Sequence, residues 1–146
     1  MMKHTISLGV GVLLCLLQLG ALAAEAVEAK SDLEFPPRVV NTEPADRQTE
    51  VDFTLTEVKA TFDRPMNTDK SWSWIIYTGL GVYPGYRGSP EPHWENEGRT
   101  CVLPVKLSPG TLYAVGVNSS RHTGFRDTEG KVAVPFVWLF KTRKVK

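Results

Sequence analysis

Asp127, Glu129 and Gly130, in the stretch GFRDTEGK, are residue types that could open a calcium loop. Such a loop needs oxygen ligands at alternate positions and a distant bidentate glutamate. Here Glu129 fills the third position, Lys131 the fifth, and the residues downstream are apolar. Asp127 and Gly130 suit instead the first and last places of a type I turn, where Asp caps the backbone and Gly accepts a positive φ. The stretch is expected to be a turn between strands.

Other residues invite chemistry and then fail its requirements. Ser119, Ser120, His122 and Asp127 are triad residue types, but they lie on one short segment. A triad needs groups converging from separate elements, with an oriented base and an oxyanion hole. No Gly-x-Ser-x-Gly elbow is present. No catalytic site is expected. Asn118-Ser119-Ser120 is formally a glycosylation sequon and reads as a polar loop. Cys101 falls in phase with Leu103, Val105 and Leu107, which suits a small buried hydrophobe better than a reactive thiol.

Aromatic side chains are the feature that stands out. Trp72, Trp74, Tyr77, Tyr83, Tyr86, His93 and Trp94 crowd around an irregular stretch, residues 78–92, that holds four glycines and three prolines. Flat rings flanked by Asp, Glu and Arg can stack on sugar faces or bury against a protein partner. The binding candidates are Trp72, Tyr83, Tyr86, His93 and Trp94. The competing account is structural: Trp74 and Ile76 pack between sheets, and the tyrosines pin the loop.

These residues need a frame. The 146-residue chain opens with Lys3 and His4, an apolar run over residues 6–19, and Ala21-Leu22-Ala23. This is the pattern of a secretory signal over residues 1–23, too short to anchor in a membrane, with Ala26 as an alternative cleavage point. Small residues do not precede Cys15 as a lipoprotein site would require. Loss of Lys3 leaves sixteen basic residues against sixteen acidic ones, so no overall field draws the mature chain to nucleic acid. Only Cys101 survives cleavage, so no internal disulfide is expected and the core must suffice alone.

Residues 24–36 read as a linker ending in Phe35-Pro36-Pro37. Beyond it, short apolar segments recur, each closed by Pro, Gly, Asn or Asp, which predicts an antiparallel sandwich. Strands are expected over residues 38–41, 55–62 with a bend between Leu55 and Val58, 71–77, around 93–95, 101–107, around 113–117, and 136–140. Pro104 predicts an edge strand or a bulge.

The segments PRVVNTEPADRQTEVD, TEVKATFDRPM, LSPGTLYAVGVNS, FRDTEGKVAV and FVWLFKT occur in one order. Together they resemble the bacterial Ig-like domains of the SbsA type, named for an S-layer protein. Members carry a Pro-Ala-Asp-Gly-like turn, a Phe-(Asp/Ser)-x-Pro-(Met/Val) step, a Leu-x-Pro-Gly-x-x-Tyr turn, an Asp-x-x-Gly turn and a closing Phe-x-Phe-x-Thr strand. Arg47 stands where the first turn usually has Gly, and Trp138 where the last strand has Phe. The resemblance implies a seven-stranded Ig-like β-sandwich over residues 37–146, and no catalysis. Tyr113, which follows the Pro109-Gly110 turn at the start of an inward-facing strand, is expected to serve as the corner tyrosine of Ig-type sandwiches.

The copper carriers of the CopC type share a related sandwich, and His93, His122 and Met66 are suitable soft or borderline ligands. The expected mature chain starts at Ala24 rather than at a His, and it has no His-x-His or Met-rich run. No metal or cofactor is expected. The reading is of a secreted or periplasmic, non-enzymatic binding or structural module that engages a protein partner in the envelope. The alternative is an envelope polysaccharide or peptidoglycan held by the aromatic loop.

Overall fold

The computed structural model describes residues 34–145; the expected leader, residues 1–23, and most of the linker lie outside the described residues. Seven strands follow in chain order: β1 (Val39–Glu43), β2 (Glu57–Phe62), β3 (Trp74–Ile75), β4 (His93–Glu95), β5 (Thr100–Pro104), β6 (Leu112–Val117) and β7 (Phe136–Lys141). They form a four-stranded sheet in the order β1-β2-β5-β4 and a three-stranded sheet in the order β3-β6-β7. Every strand pairing is antiparallel. This is the seven-stranded Ig-like sandwich of the constant type.

Side-chain alternation explains which faces meet. In β2, Val58, Ala60 and Phe62 point into the core while Glu57, Lys59 and Thr61 face out. Cys101 and Leu103 of β5 join them from the same sheet, and Tyr113, Val115, Val117, Trp138 and Phe140 answer from the other. Trp138, Phe62, Phe125 and Phe140 are the largest fully buried side chains.

Several expected elements differ. β1 runs on to Glu43, and the irregular register lies within it, between Val39 and Asn41, not between Leu55 and Val58. Leu55 is exposed and belongs to a turn, its N–H donating to Asp52 O (3.3 Å). β3 is two residues long; before it, Ser73 O accepts from Asn118 N (3.0 Å), one step beyond the β6 ladder, and Ser71 Oγ donates to Gly124 O (3.1 Å) in the β6–β7 connection. Ile76 is exposed rather than packed between the sheets.

β5 is a central strand, not an edge, in spite of Pro104. Val105 N donates to Thr56 O on the β2 side (2.8 Å), so the preceding residue's missing N–H falls on the β4 side. There β4 has already ended, its last partner being Val102. The proline sits at the one place in a central strand where it costs no ladder bond.

Neighbouring chain covers the β7 edge of the smaller sheet and the stretch of β6 that the two-residue β3 leaves unpaired, which shortens the open edge. Arg47 N donates to Leu139 O (2.6 Å) and Lys141 N to Gln48 O (2.9 Å) on the β7 edge. Arg47 reaches this position with φ 62°, the left-handed region that suits the family's usual glycine. On β6, beyond its pairing with β3, Val82 N donates to Leu112 O and Ala114 N to Val82 O, both 2.9 Å. A Cβ on Gly81 would lie 3.0 Å from Leu112 O and Ala114 N, so glycine lets this backbone approach.

Tyr113 is buried at the start of β6, and its hydroxyl accepts from Ser108 N (2.6 Å). Thr142 Oγ1 donates to Ser108 O (2.6 Å), tying the same corner to the end of β7. Tyr113→Ala is expected to lose about 3 kcal/mol or more of unfolding free energy. Tyr113→Phe, which keeps the ring stacked 5.3 Å from Phe140, is expected to lose about 1–2 kcal/mol. Denaturant titration measures both; equal small losses of about 0.5 kcal/mol would remove the corner role.

Candidate functional site

The connection from β6 to β7 organises the top of the sandwich. Asn118 is fully buried with φ 55°. Its Nδ2 donates to Phe125 O (2.9 Å) and Ala133 O (3.0 Å), and its Oδ1 accepts from Phe125 N (3.0 Å). The residue read as a solvated loop position is therefore a buried clamp, and its amide is inaccessible to glycosylation in the folded chain. The clamp sets Phe125 between the sheets, 5.4 Å from Phe62, 5.1 Å from Trp74 and 6.0 Å from Trp94.

The same connection holds Trp72. Gly124 N donates to Ser73 Oγ (2.9 Å), and Ser71 Oγ donates back to Gly124 O. A Cβ on Gly124 would fall 2.6 Å from the Trp72 carbonyl carbon, so only glycine permits the contact. Opposite, Tyr83 is carried by the backbone that Val82 binds to β6, and Pro84 O accepts from Lys106 N (3.2 Å). Burial pushes the Tyr83 phenol up from its ordinary pKa.

These segments share an open cleft of about 420 Å³ lined by Trp72, Ser73, Trp74, Ile75, Tyr83, Ser89, Pro92, Leu103 and His122. No Asp, Glu, Lys or Arg lines it. His122 Nδ1 lies 3.2 Å from Ser119 Oγ. A larger hollow of about 770 Å³ beside the C-terminal tail is walled by Lys141, Arg143 and Lys144. Its Arg143 is already committed, 3.2 Å from Asp52 and 5.3 Å over the Phe53 ring.

Of the five candidates read from sequence, Trp72 and Tyr83 meet in the cleft, and the other three do not line it. Tyr86 is exposed. His93 projects from β4 with Nε2 3.7 Å from Glu95 Oε1. Glu95 also takes a 2.8 Å bond from Lys59, which holds its carboxyl below and the Lys59 ammonium above their ordinary values. Trp94 is half-buried against Phe62 and Phe125, with its indole nitrogen covered and unpartnered. Ser89 and His122, the latter weighed from sequence only as a triad or copper residue, are polar lining residues outside the five candidates. They come from segments distant in sequence, and no local pattern marks them.

The remaining reactive types are occupied. Asp127 is buried, and its Oδ1 accepts from Glu129 N (3.0 Å) and Lys131 N (2.9 Å) while its carbonyl accepts from Gly130 N (3.0 Å). Gly130 has φ 85°, as the turn requires. Asp127 Oδ2 lies 3.7 Å from the buried Arg64 guanidinium, so its carboxylate faces neither His122 nor an open cation site. Among the described residues no three His, Cys, Asp or Glu side chains converge as a metal would need. Cys101 is fully buried, and desolvation pushes its thiol far above the ordinary range, so the thiolate nucleophile does not form near neutrality. Asp127→Ala is expected to cost about 2–4 kcal/mol, by uncapping the turn and stranding part of the Arg64 charge. Calcium is expected to leave the melting temperature of the native chain unchanged; a rise would restore the calcium-loop reading.

The sequence matches the family described as bacterial Ig-like domain over residues 34–142. No curated protein matches it. Among solved structures, it resembles the S-layer protein rSbsC(31-844), with a TM-score of 0.51 and 21% identity over 86% of this chain and 16% of that one. It also resembles the N-terminal part of the bacterial S-layer protein SbsC, with a TM-score of 0.55 and 22% identity over 86% of this chain and 28% of that one. The chain thus spans under a third of either protein, and the likeness is one of fold. With its strand order, its corner tyrosine and its matched residues, the chain belongs to the bacterial Ig-like domain family.

Proposed function

We propose that the chain is an exported, non-catalytic Ig-like module with a binding or structural role outside the cytoplasm, engaging a protein partner of the envelope or the secreted fraction. One observation carries the partner: in the segment that follows β3, Ile76, Leu80 and Val82 are 48–57% exposed, and Leu112, which Val82 pairs on β6, is 44% exposed. An exposed apolar segment on a domain with a complete core is the mark of an interaction surface. The leader-like N-terminus supports export. The surface-layer proteins that share the fold support a place at the cell exterior.

Two measurements test this. In a bacterial host the full chain is expected in the periplasm or medium with Ala24 at its N-terminus; an uncleaved cytoplasmic product would contradict export. The double variant Leu80→Ser, Val82→Ser is expected to keep the melting temperature within about 4 °C, as surface changes of about 0.5 kcal/mol do. It is expected to lose the envelope proteins that co-purify with the parent chain, and retention of those proteins would move the interface elsewhere.

A further inference from the structure

We infer that the cleft lined by Trp72 and Tyr83 is a second site, distinct from the exposed apolar residues of the segment after β3, and that it takes a neutral sugar ring of a glycan. Three properties of the cleft point to this ligand chemistry. The first is its aromatic lining: Trp72 and Tyr83, from separate segments, together with Trp74, bring partly exposed ring edges and faces that can meet the C–H face of a pyranose. The second is the absence of any Asp, Glu, Lys or Arg lining side chain, which leaves a phosphate, sulfate or carboxylate without a permanently charged counter-ion in the site.

The third is the kind of polar group present. The Tyr83 and Ser89 hydroxyls and the His122 ring each donate and accept hydrogen bonds, the dual capacity of a sugar hydroxyl. A proline-rich strand, the other ligand that aromatic grooves accept, offers backbone acceptors only. The volume, about 420 Å³, lies within the range of small-ligand sites, and the open form lets a longer chain continue at either end.

The walls are also fixed before a ligand arrives. Trp72 sits on backbone tied to Gly124 from both directions, and Tyr83 sits on backbone tied to β6 and to Lys106. Little ordering is then left for binding to oppose. Of the other aromatics read from sequence, Tyr86, His93 and Trp94 take no part.

The test is calorimetric and fluorescence titration of the purified chain with cellotetraose, chitotetraose, maltotetraose and mannotetraose. A proline decamer and an anionic oligogalacturonate complete the set. At least one neutral tetrasaccharide is expected to bind with a Kd of about 1 mM or tighter and to shift tryptophan emission. Trp72→Ala and Tyr83→Ala are expected to weaken it about tenfold or more. Ser89→Ala and His122→Ala, which disturb no core packing, are expected to weaken it severalfold, and His93→Ala is expected to leave it unchanged. Leu80→Ser, Val82→Ser is expected to retain full sugar affinity, so failure here is separable from failure of the protein-facing reading. The inference is overturned if none of the neutral sugars binds at about 10 mM. It is equally overturned if binding survives Trp72→Ala and Ser89→Ala, or if only the proline decamer or the oligogalacturonate binds.

Discussion

Phe125 reaches the centre of the sandwich from a loop, and the rest of the structure depends on how that is made possible. A loop side chain can occupy the core only if the backbone that carries it has its polar groups satisfied away from water. Asn118 does this with one side chain, bonding the N–H and C=O of Phe125 and the C=O of Ala133. Ala133 N donates to Phe125 O as well, closing the connection on itself (2.9 Å). Phe125 then touches aromatic rings from β2, β3 and β4, so both sheets meet on it.

This arrangement stands where a secreted sandwich could use a disulfide. Antibody-type domains join their sheets through a B–F disulfide packed against a tryptophan of strand C. Here the strand-C tryptophan, Trp74, packs edge-on to Phe125 and Trp138 instead, and the only described cysteine is a buried, unpaired one in β5. Inter-sheet cohesion comes from apolar area and ring geometry rather than from a covalent link. The clamp has a consequence at the surface too. Because it fixes the β6–β7 connection, Gly124 can hold Trp72 and His122 is brought to line the cleft, so the cleft inherits its shape from the core.

How much of this was legible in the sequence varied with its physical origin. β2 was readable because one buried face imposes a period of two on its residues, and β6 and β7 because they are short apolar runs bounded by turn residues. Pro104 misled because the rule against proline concerns a missing N–H, and which side that N–H would face is set by register, which composition does not carry. Ile76 and Leu55 misled because an apolar side chain near a strand is not bound to be inside. The Asp127 turn was legible from its own four residues, since turn chemistry is local. Asn118 was not: a polar residue beside two serines looks solvated, and its buried role appears only when Phe125 and Ala133 fold back on it. Trp72 and Tyr83 could be picked out as aromatic candidates, yet their meeting, and the exclusion of Trp94, depend on a loop whose course no period encodes.

Native-state hydrogen exchange on the Phe125 and Ala133 amides tests the central claim most directly. If the Asn118 clamp and the Phe125 wedge form one cooperative unit with the sheets, both amides exchange only by global unfolding, at the same free energy of opening as Val115 and Val117 in β6. Opening free energies several kcal/mol lower, in the range of ordinary loops, would show that the connection unfolds by itself and that the sandwich does not depend on it.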